Sequence, residues 1–90
     1  MKIEIVHDYK LEKGDECTIW FYNSDGSKGY ALCEYKGRNR NKEYIFESVI
    51  YGWKYYVNLE KKIVTWKYEH WNEQKEYVLD ESTGWTKDLP

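Results

Sequence analysis

Four cations at alternate positions form the densest basic run of this chain, and a tyrosine flanks the run at each end. The six residues are Lys36, Arg38, Arg40 and Lys42, with Tyr35 before them and Tyr44 after them. In an extended strand, alternate side chains project from the same face. Positive charge along the backbone and aromatic rings under the bases are the combination that binds single-stranded nucleic acid. These six residues are therefore a candidate nucleic-acid site.

The same segment also has the composition of a solvated hairpin loop. Gly37, Asn39 and Asn41 alternate with the cations, and these residue types favour turns, which would splay the charges apart. The formal net charge is −2 and the sequence pI is about 5.7, so the chain as a whole is not basic. We interpret residues 36–42 as a loop between two strands, with nucleic-acid binding as the alternative.

Other reactive side chains do not form a recognisable catalytic or metal-binding pattern. His7 and His70 each adjoin an acidic residue, but neighbours in a strand point to opposite faces. Cys17 and Cys33 lie in apolar runs and read as buried thiols; a zinc site would need two more ligands at a suitable spacing. The six glycines are scattered, so no phosphate-binding loop is present. We expect no catalytic residue, no metal, no cofactor and no enzymatic activity.

The elements that must position these residues are short runs of β-branched and aromatic residues, separated by polar turns every eight to twelve residues. The pattern predicts a single β-rich domain over residues 1–90. Its fold class is mostly β: an antiparallel meander of about six to seven strands that curls into a small barrel or sandwich. Residues 43–51 fit a strand, or a short helix as the alternative, and residues 81–90 read as a loosely ordered tail.

Aromatic residues make up 19% of the chain, with ten Tyr, five Trp and two Phe. Strand alternation assigns some of these rings to an outward face, where Tyr and Trp are typical of protein-binding surfaces. The predicted partner-binding residues are Trp20, Tyr22, Tyr56 and Trp71. A homo-oligomer formed through the same face would have the same sequence signature.

The C-terminal part of the chain offers a second alternative, because it holds six acidic residues and two lysines from Glu69 onward. An acidic face can neutralise a basic toxin or nuclease, as an immunity protein does, through electrostatic steering. The candidate residues for such a face are Glu69, Glu73, Glu76, Asp80 and Glu81.

Composition also predicts where such a chain works. No apolar run is long enough for a membrane span and the N-terminus lacks a signal peptide, so we expect a cytoplasmic protein without membrane contact. The many Lys, Tyr, Asn and Ile residues have AT-rich codons, which is typical of low-GC bacterial or viral genomes. We therefore expect a small phage or mobile-element protein that binds a larger protein, such as a nuclease or defence complex, and that acts in the host cytoplasm if it is phage-encoded.

Overall fold

The computed structural model describes residues 2–6, 11–68, 72–80 and 85–89, and of these residues 2–6 and 85–89 by their backbone alone. All regular structure in these ranges is β. The strands are β1 (Lys2–Val6), β2 (Glu16–Tyr22), β3 (Lys28–Arg38), β4 (Tyr44–Ser48), β5 (Lys54–Asn58), β6 (Ile63–Lys67), β7 (Gln74–Leu79) and β8 (Trp85–Leu89).

Strands β2 to β7 close into a six-stranded antiparallel barrel. Each strand pairs with the next, and β7 returns to β2 through the pairs Phe21↔Leu79 and Tyr22↔Val78. The other half of the same β2 edge pairs with β8, which in turn pairs with β1. The prediction of a mostly β meander curled into a barrel is confirmed, and residues 85–89, which the sequence placed in the tail, form β8.

The segment that the sequence left open between strand and helix is a strand followed by a turn. In β4, Tyr44, Phe46 and Ser48 are buried while the residues between them are half-buried, which is the period of two of a strand. The helical alternative is wrong, because this alternation outweighs the four-residue spacing of the apolar residues. The chain turns directly after Ser48.

The core is built from the inward residues of the six barrel strands. They are Cys17, Ile19, Phe21, Ala31, Cys33, Tyr35, Tyr44, Phe46, Tyr55, Val57, Val64, Trp66 and Leu79. Cys17 and Cys33 are directly opposed on β2 and β3, and neither forms a disulfide, as expected for buried thiols. Burial is the main cause that raises the pKa of the Cys33 thiol to about 12, and the neighbouring Cys17 adds to the increase.

The first half of the basic run belongs to β3 rather than to a loop. The register of β3 against β4 shifts between Tyr35 and Gly37, which marks a β-bulge, and Gly37 adopts a φ of 112° that favours glycine. The loop itself begins at Asn39, whose side-chain Oδ1 accepts hydrogen bonds from the backbone N–H groups of Asn41 and Glu43, both at 3.0 Å. The predicted loop at 36–42 is therefore wrong for residues 36–38.

Candidate functional site

The most exposed apolar side chains of the described residues include a group on β3 and the β4–β5 turn. Tyr30, Leu32, Val49, Ile50 and Tyr51 are 62%, 43%, 56%, 67% and 62% exposed, and we call these five residues the apolar patch. The backbone N–H of Val49 donates to the carbonyl of Leu32 at 3.2 Å, which brings the turn against the strand. Exposed apolar groups of this kind mark interaction surfaces more often than single scattered residues do.

Ser48 fixes the conformation of the turn that carries three of the patch residues. Its hydroxyl oxygen accepts hydrogen bonds from the backbone N–H groups of Ile50 and Tyr51, at 3.3 and 3.1 Å. Its carbonyl accepts from Gly52 N–H at 3.2 Å, and its own N–H donates to the carbonyl of Trp53 at 2.8 Å. The exposed side chains are thus presented by a hydrogen-bonded turn, which lowers the entropy lost when a partner binds.

Contacting aromatic side chains connect the β4–β5 turn to the core. Tyr51 stacks on Trp53 with ring centroids 4.3 Å apart, and Trp53 meets Trp66 edge-on at 5.4 Å. The indole N–H of Trp53 donates to the hydroxyl oxygen of Tyr55 at 2.9 Å. Burial raises the pKa of Tyr55 to about 12, although the Trp53 hydrogen bond opposes the shift. The exposed ring of Tyr51 is therefore held in place by its contact with Trp53, which packs against the core.

Strand β3 is longer than β4, and within the described residues part of its edge has no neighbouring strand. The β3–β4 pairs begin at Cys33↔Ser48, so residues 28–31 of β3 lie beyond the end of β4. The Leu32 carbonyl points toward β4, where it accepts from Val49, and alternation directs the N–H and carbonyl of Tyr30 to the same side. The carbonyl of Trp20, the β2 residue opposite Tyr30, accepts instead from Asp80 N–H, so this pair exchanges no backbone hydrogen bonds.

A gap of about 230 Å³ lies at this uncovered edge. It is lined by residues 30–32 of β3 and by Ser48, Ile50, Tyr51 and Tyr55. In the part of the chain that the structure describes, no strand pairs with the outward backbone groups of Tyr30 and Lys28. Exposed strand edges of this kind accept an additional strand from another polypeptide.

Charged residues border the apolar patch. The Nζ of Lys36 lies 3.0 Å from a carboxylate oxygen of Glu34 and 3.7 Å from one of Glu47. The hydrogen bond to Glu34, together with the charges of both acids, raises the pKa of Lys36 above its ordinary value. An apolar centre with a charged border is the usual arrangement of a protein-binding surface.

The barrel does not bring the predicted aromatic face together. Trp20 and Tyr22 lie outward on β2, and Trp20 contacts Tyr30 with ring centroids 5.4 Å apart. Tyr56 lies on β5, which is three strands from β2 in either direction around the barrel. Trp71 lies outside the described residues. A closed barrel turns outward residues of opposite strands away from one another, so the expected single face does not include both Trp20 and Tyr56.

Neither tyrosine of the predicted nucleic-acid site is exposed for stacking on a base. Tyr35 and Tyr44 are 6% and 2% exposed and belong to the core. Arg38 lies over the ring of Tyr44, 4.6 Å from its centroid, and Lys36 is held by two carboxylates. The bulge at Gly37 and the turn at Asn39 explain the difference, because the strip of alternating cations needs one continuous strand. Arg40 and Lys42 are exposed in the loop.

The predicted acidic face is only partly exposed. Glu73 and Glu76 are exposed, whereas Asp80 is 2% exposed. The Nζ of Lys28 lies 2.6 Å from Oδ2 of Asp80, and this hydrogen bond raises the pKa of Lys28. Glu69 and Glu81 lie outside the described residues. Asp80 is therefore wrong as a residue of an exposed acidic surface, because its carboxylate is buried beside a lysine.

The described ranges contain neither a metal-binding cluster nor a membrane-spanning helix. They hold no group of three or more His, Cys, Asp and Glu residues arranged to bind a metal ion. They also hold no helix with the length and apolar character that crossing a membrane requires.

Sequence reasoning missed most of the apolar patch. Leu32 lies in an apolar run that predicts a buried strand, and Val49, Ile50 and Tyr51 lie in the segment that fits a strand or a short helix. A turn made of three apolar residues has no polar turn signal. The remaining signal was Gly52, which follows the turn and adopts a φ of 77°.

Comparison with known proteins adds no family to this geometry. No protein-family model, no curated protein and no solved structure matches the chain.

Proposed function

We propose that this chain is a non-enzymatic protein-binding module whose apolar patch receives an extended segment of a larger partner protein. The observation that carries the proposal is the uncovered edge of β3 at Tyr30, which lies beside exposed apolar side chains on the same surface. An added strand would hydrogen-bond to the outward backbone groups of Lys28 and Tyr30 and cover the rings beside them.

The backbone arrangement supports an extended occupant rather than a helix. A helix satisfies its own backbone hydrogen bonds and would leave those of Tyr30 facing an apolar surface. An extended segment instead supplies a donor and an acceptor to each outward residue of β3. Alternate side chains of that segment would point toward Leu32 and Ile50 on one face, so we expect apolar residues at every second position of the partner segment.

The role we propose is that of a small inhibitor or accessory protein that occludes a surface of its partner in the cytoplasm. An origin in a phage or mobile element, and a nuclease or defence complex as the target, remain proposals that rest on chain size and codon composition. Single-stranded nucleic-acid binding is less favoured, because Tyr35 and Tyr44 are buried and Lys36 is engaged by Glu34 and Glu47.

The test compares two leucines of similar exposure, one on β3 and one in the β5–β6 turn. Leu32 beside the β4–β5 turn is 43% exposed, and Leu59 in the β5–β6 turn is 39% exposed. Tagged wild type, Leu32→Lys and Leu59→Lys are used as bait in a lysate of the source cell treated with nuclease. We expect the wild type and Leu59→Lys to capture the same protein and Leu32→Lys to lose it. Equal capture by both variants would refute the assignment of the patch.

Strand addition has a separate test at Tyr30. Tyr30→Pro removes the outward N–H, whereas Tyr30→Val keeps it and removes the ring in the same way. We expect Tyr30→Pro to lose much more of the partner than Tyr30→Val, since a proline at an edge strand blocks a new ladder bond. Equal losses would show that the ring, rather than the backbone edge, is recognised. Capture that vanishes in every nuclease-treated sample would instead favour nucleic acid.

A further inference from the structure

A row of directly opposed side chains crosses the outer wall of the barrel, and it contains two like-charged pairs. The row runs from β3 to β7 through Glu34, Glu47, Lys54, Lys67 and Gln74. Directly opposed residues in neighbouring strands have Cβ atoms about 4.5–5.5 Å apart, and like charges at that separation destabilise a sheet. Glu34 opposes Glu47, and Lys54 opposes Lys67.

The protein itself resolves the acidic pair. Lys36 places its Nζ 3.0 Å from Glu34 and 3.7 Å from Glu47, so one cation bridges both carboxylates. Among the described residues, no carboxylate bridges the basic pair Lys54 and Lys67 in the same way. Glu47 also opposes Lys54, but its carboxylate is already turned to Lys36.

The two lysines line a cleft of about 350 Å³, which is near the lower end of the size of small-molecule sites. The rings of Tyr56 and Tyr68 and the amide side chains of Asn72 and Gln74 complete most of its wall. Lys67 lies over the ring of Tyr56, with its Nζ 4.9 Å from the centroid, so the ring holds this ammonium on the outer wall.

The cleft contains one carboxylate, that of Glu73, beside the two ammonium groups. The described charged groups that line it therefore sum to one positive charge, which suits an anionic ligand. Two adjacent ammonium groups match the several oxygens of a phosphate, since each oxygen accepts a charge-assisted hydrogen bond. The amides and tyrosines can satisfy the polar edge and the flat face of a ring attached to that phosphate.

We propose that this cleft binds the phosphate group of a small phosphorylated molecule of nucleotide size, with Lys54 and Lys67 as the phosphate ligands. The site is separate from the apolar patch, because it lies on the outer wall of β5 and β6. It is also separate from the basic run at 36–42. Bound phosphate would bridge Lys54 and Lys67 as Lys36 bridges Glu34 and Glu47.

The test is a titration followed by two-dimensional amide NMR, with AMP, inorganic phosphate, adenosine and a short single-stranded oligonucleotide as probes. We expect AMP to shift the signals of Lys54 and Lys67 saturably and adenosine to leave them in place. Lys54→Gln and Lys67→Gln should each weaken AMP binding at least about tenfold, because each loses a charge-assisted hydrogen bond. Lys61→Gln, an exposed lysine of the β5–β6 turn, is the matched control and should bind as wild type does.

Inorganic phosphate that competes with AMP supports the phosphate as the group recognised. Adenosine that binds as well as AMP, or a Lys61→Gln variant that weakens AMP binding equally, overturns the assignment. Shifts caused by the oligonucleotide alone overturn it in favour of a nucleic-acid surface, and no shift with any probe overturns it outright. The urea midpoint of Lys67→Gln provides a folding control and should stay close to the wild-type value, since the relief of one like-charge pair offsets the lost contact with the Tyr56 ring.

Discussion

Replacement of Gly37 by alanine tests whether the β3 bulge requires the backbone conformation of glycine. Gly37 is buried in β3 with a φ of 112°, a conformation that L residues rarely adopt. An added Cβ would also lie 2.8 Å from Cε of Lys13, which is closer than real contacts allow. Lys13 is exposed and its side chain can move, so the backbone conformation should dominate the cost.

A residue forced into such a sparsely populated conformation costs about 1–3 kcal/mol. A domain of this size has a total free energy of unfolding of about 5–13 kcal/mol, at roughly 0.05–0.15 kcal/mol per residue. A loss of about 2 kcal/mol should therefore lower Tm by roughly 10 °C, since each kcal/mol shifts a domain of this length by about 4–8 °C. The substitution would then remove a large share of the total stability.

The assay is urea unfolding followed by tryptophan fluorescence, with two companion variants. Gly26→Ala is the control, because Gly26 has a φ of 86° but nothing within 4 Å of the added Cβ. Lys13→Ala combined with Gly37→Ala removes the side-chain contact while it keeps the backbone conformation. We expect Gly37→Ala and Gly26→Ala to lose similar stability, since both force a positive φ on alanine, and the double variant to recover little of the Gly37→Ala loss. A full recovery in the double variant would refute the backbone argument, and so would a Gly26→Ala variant that loses no stability.

Four further predictions follow from burial, pH, strand edges and charge. Cys17 and Cys33 should react with a thiol reagent only on unfolding, because both thiols are buried and the pKa of Cys33 is raised to about 12. The urea midpoint should fall as pH rises from about 9 toward 12. Burial raises the pKa values of Cys33 and Tyr55 in the folded state, so these groups ionise first in the unfolded chain, which favours unfolding. An unchanged midpoint at pH 11 would contradict this. The Ala31→Pro variant should unfold at a much lower urea concentration than Tyr30→Pro. The N–H of Ala31 points toward β2, where proline would remove a strand hydrogen bond, whereas the N–H of Tyr30 points away from β2. Similar losses of stability would contradict the exposed edge assigned to Tyr30. Arg38→Glu combined with Arg40→Glu should leave the binding of a single-stranded oligonucleotide, measured by fluorescence anisotropy at low salt, as weak as in wild type, and a marked loss would revive the basic run as a nucleic-acid site.

Local patterns predicted the strands and their inward faces. The apolar residues Cys17, Ile19 and Phe21 alternate with polar or half-buried residues. The Asp25-Gly26 pair is a turn signal and lies in the β2–β3 turn, where Ser27 N–H donates to Asp25 Oδ1 at 2.9 Å. These features depend on residues close in sequence, so a single chain is enough to read them.

The arrangement of the surface depends on pairings that the sequence does not state. Alternation shows that Trp20 and Tyr56 face outward, but the position of each on the wall follows from the strand order of the closed barrel. The apolar patch exists because β3 extends beyond β4, and a difference in strand length has no signature in residue type. The bulge at Gly37 had a local signal, a glycine among cations, which also fits a loop.

The seam of the barrel has a consequence for how the chain folds. Each pair of consecutive strands from β2 to β7 is joined by a short connection. These strand pairs can form early, because the two strands are close in sequence. The seam joins β7 to β2 through two residue pairs from distant parts of the chain, and β8 occupies the rest of that β2 edge. We therefore expect folding to end with the closing of the paired strands into a ring, and unfolding to begin with the release of β7 from Phe21 and Tyr22.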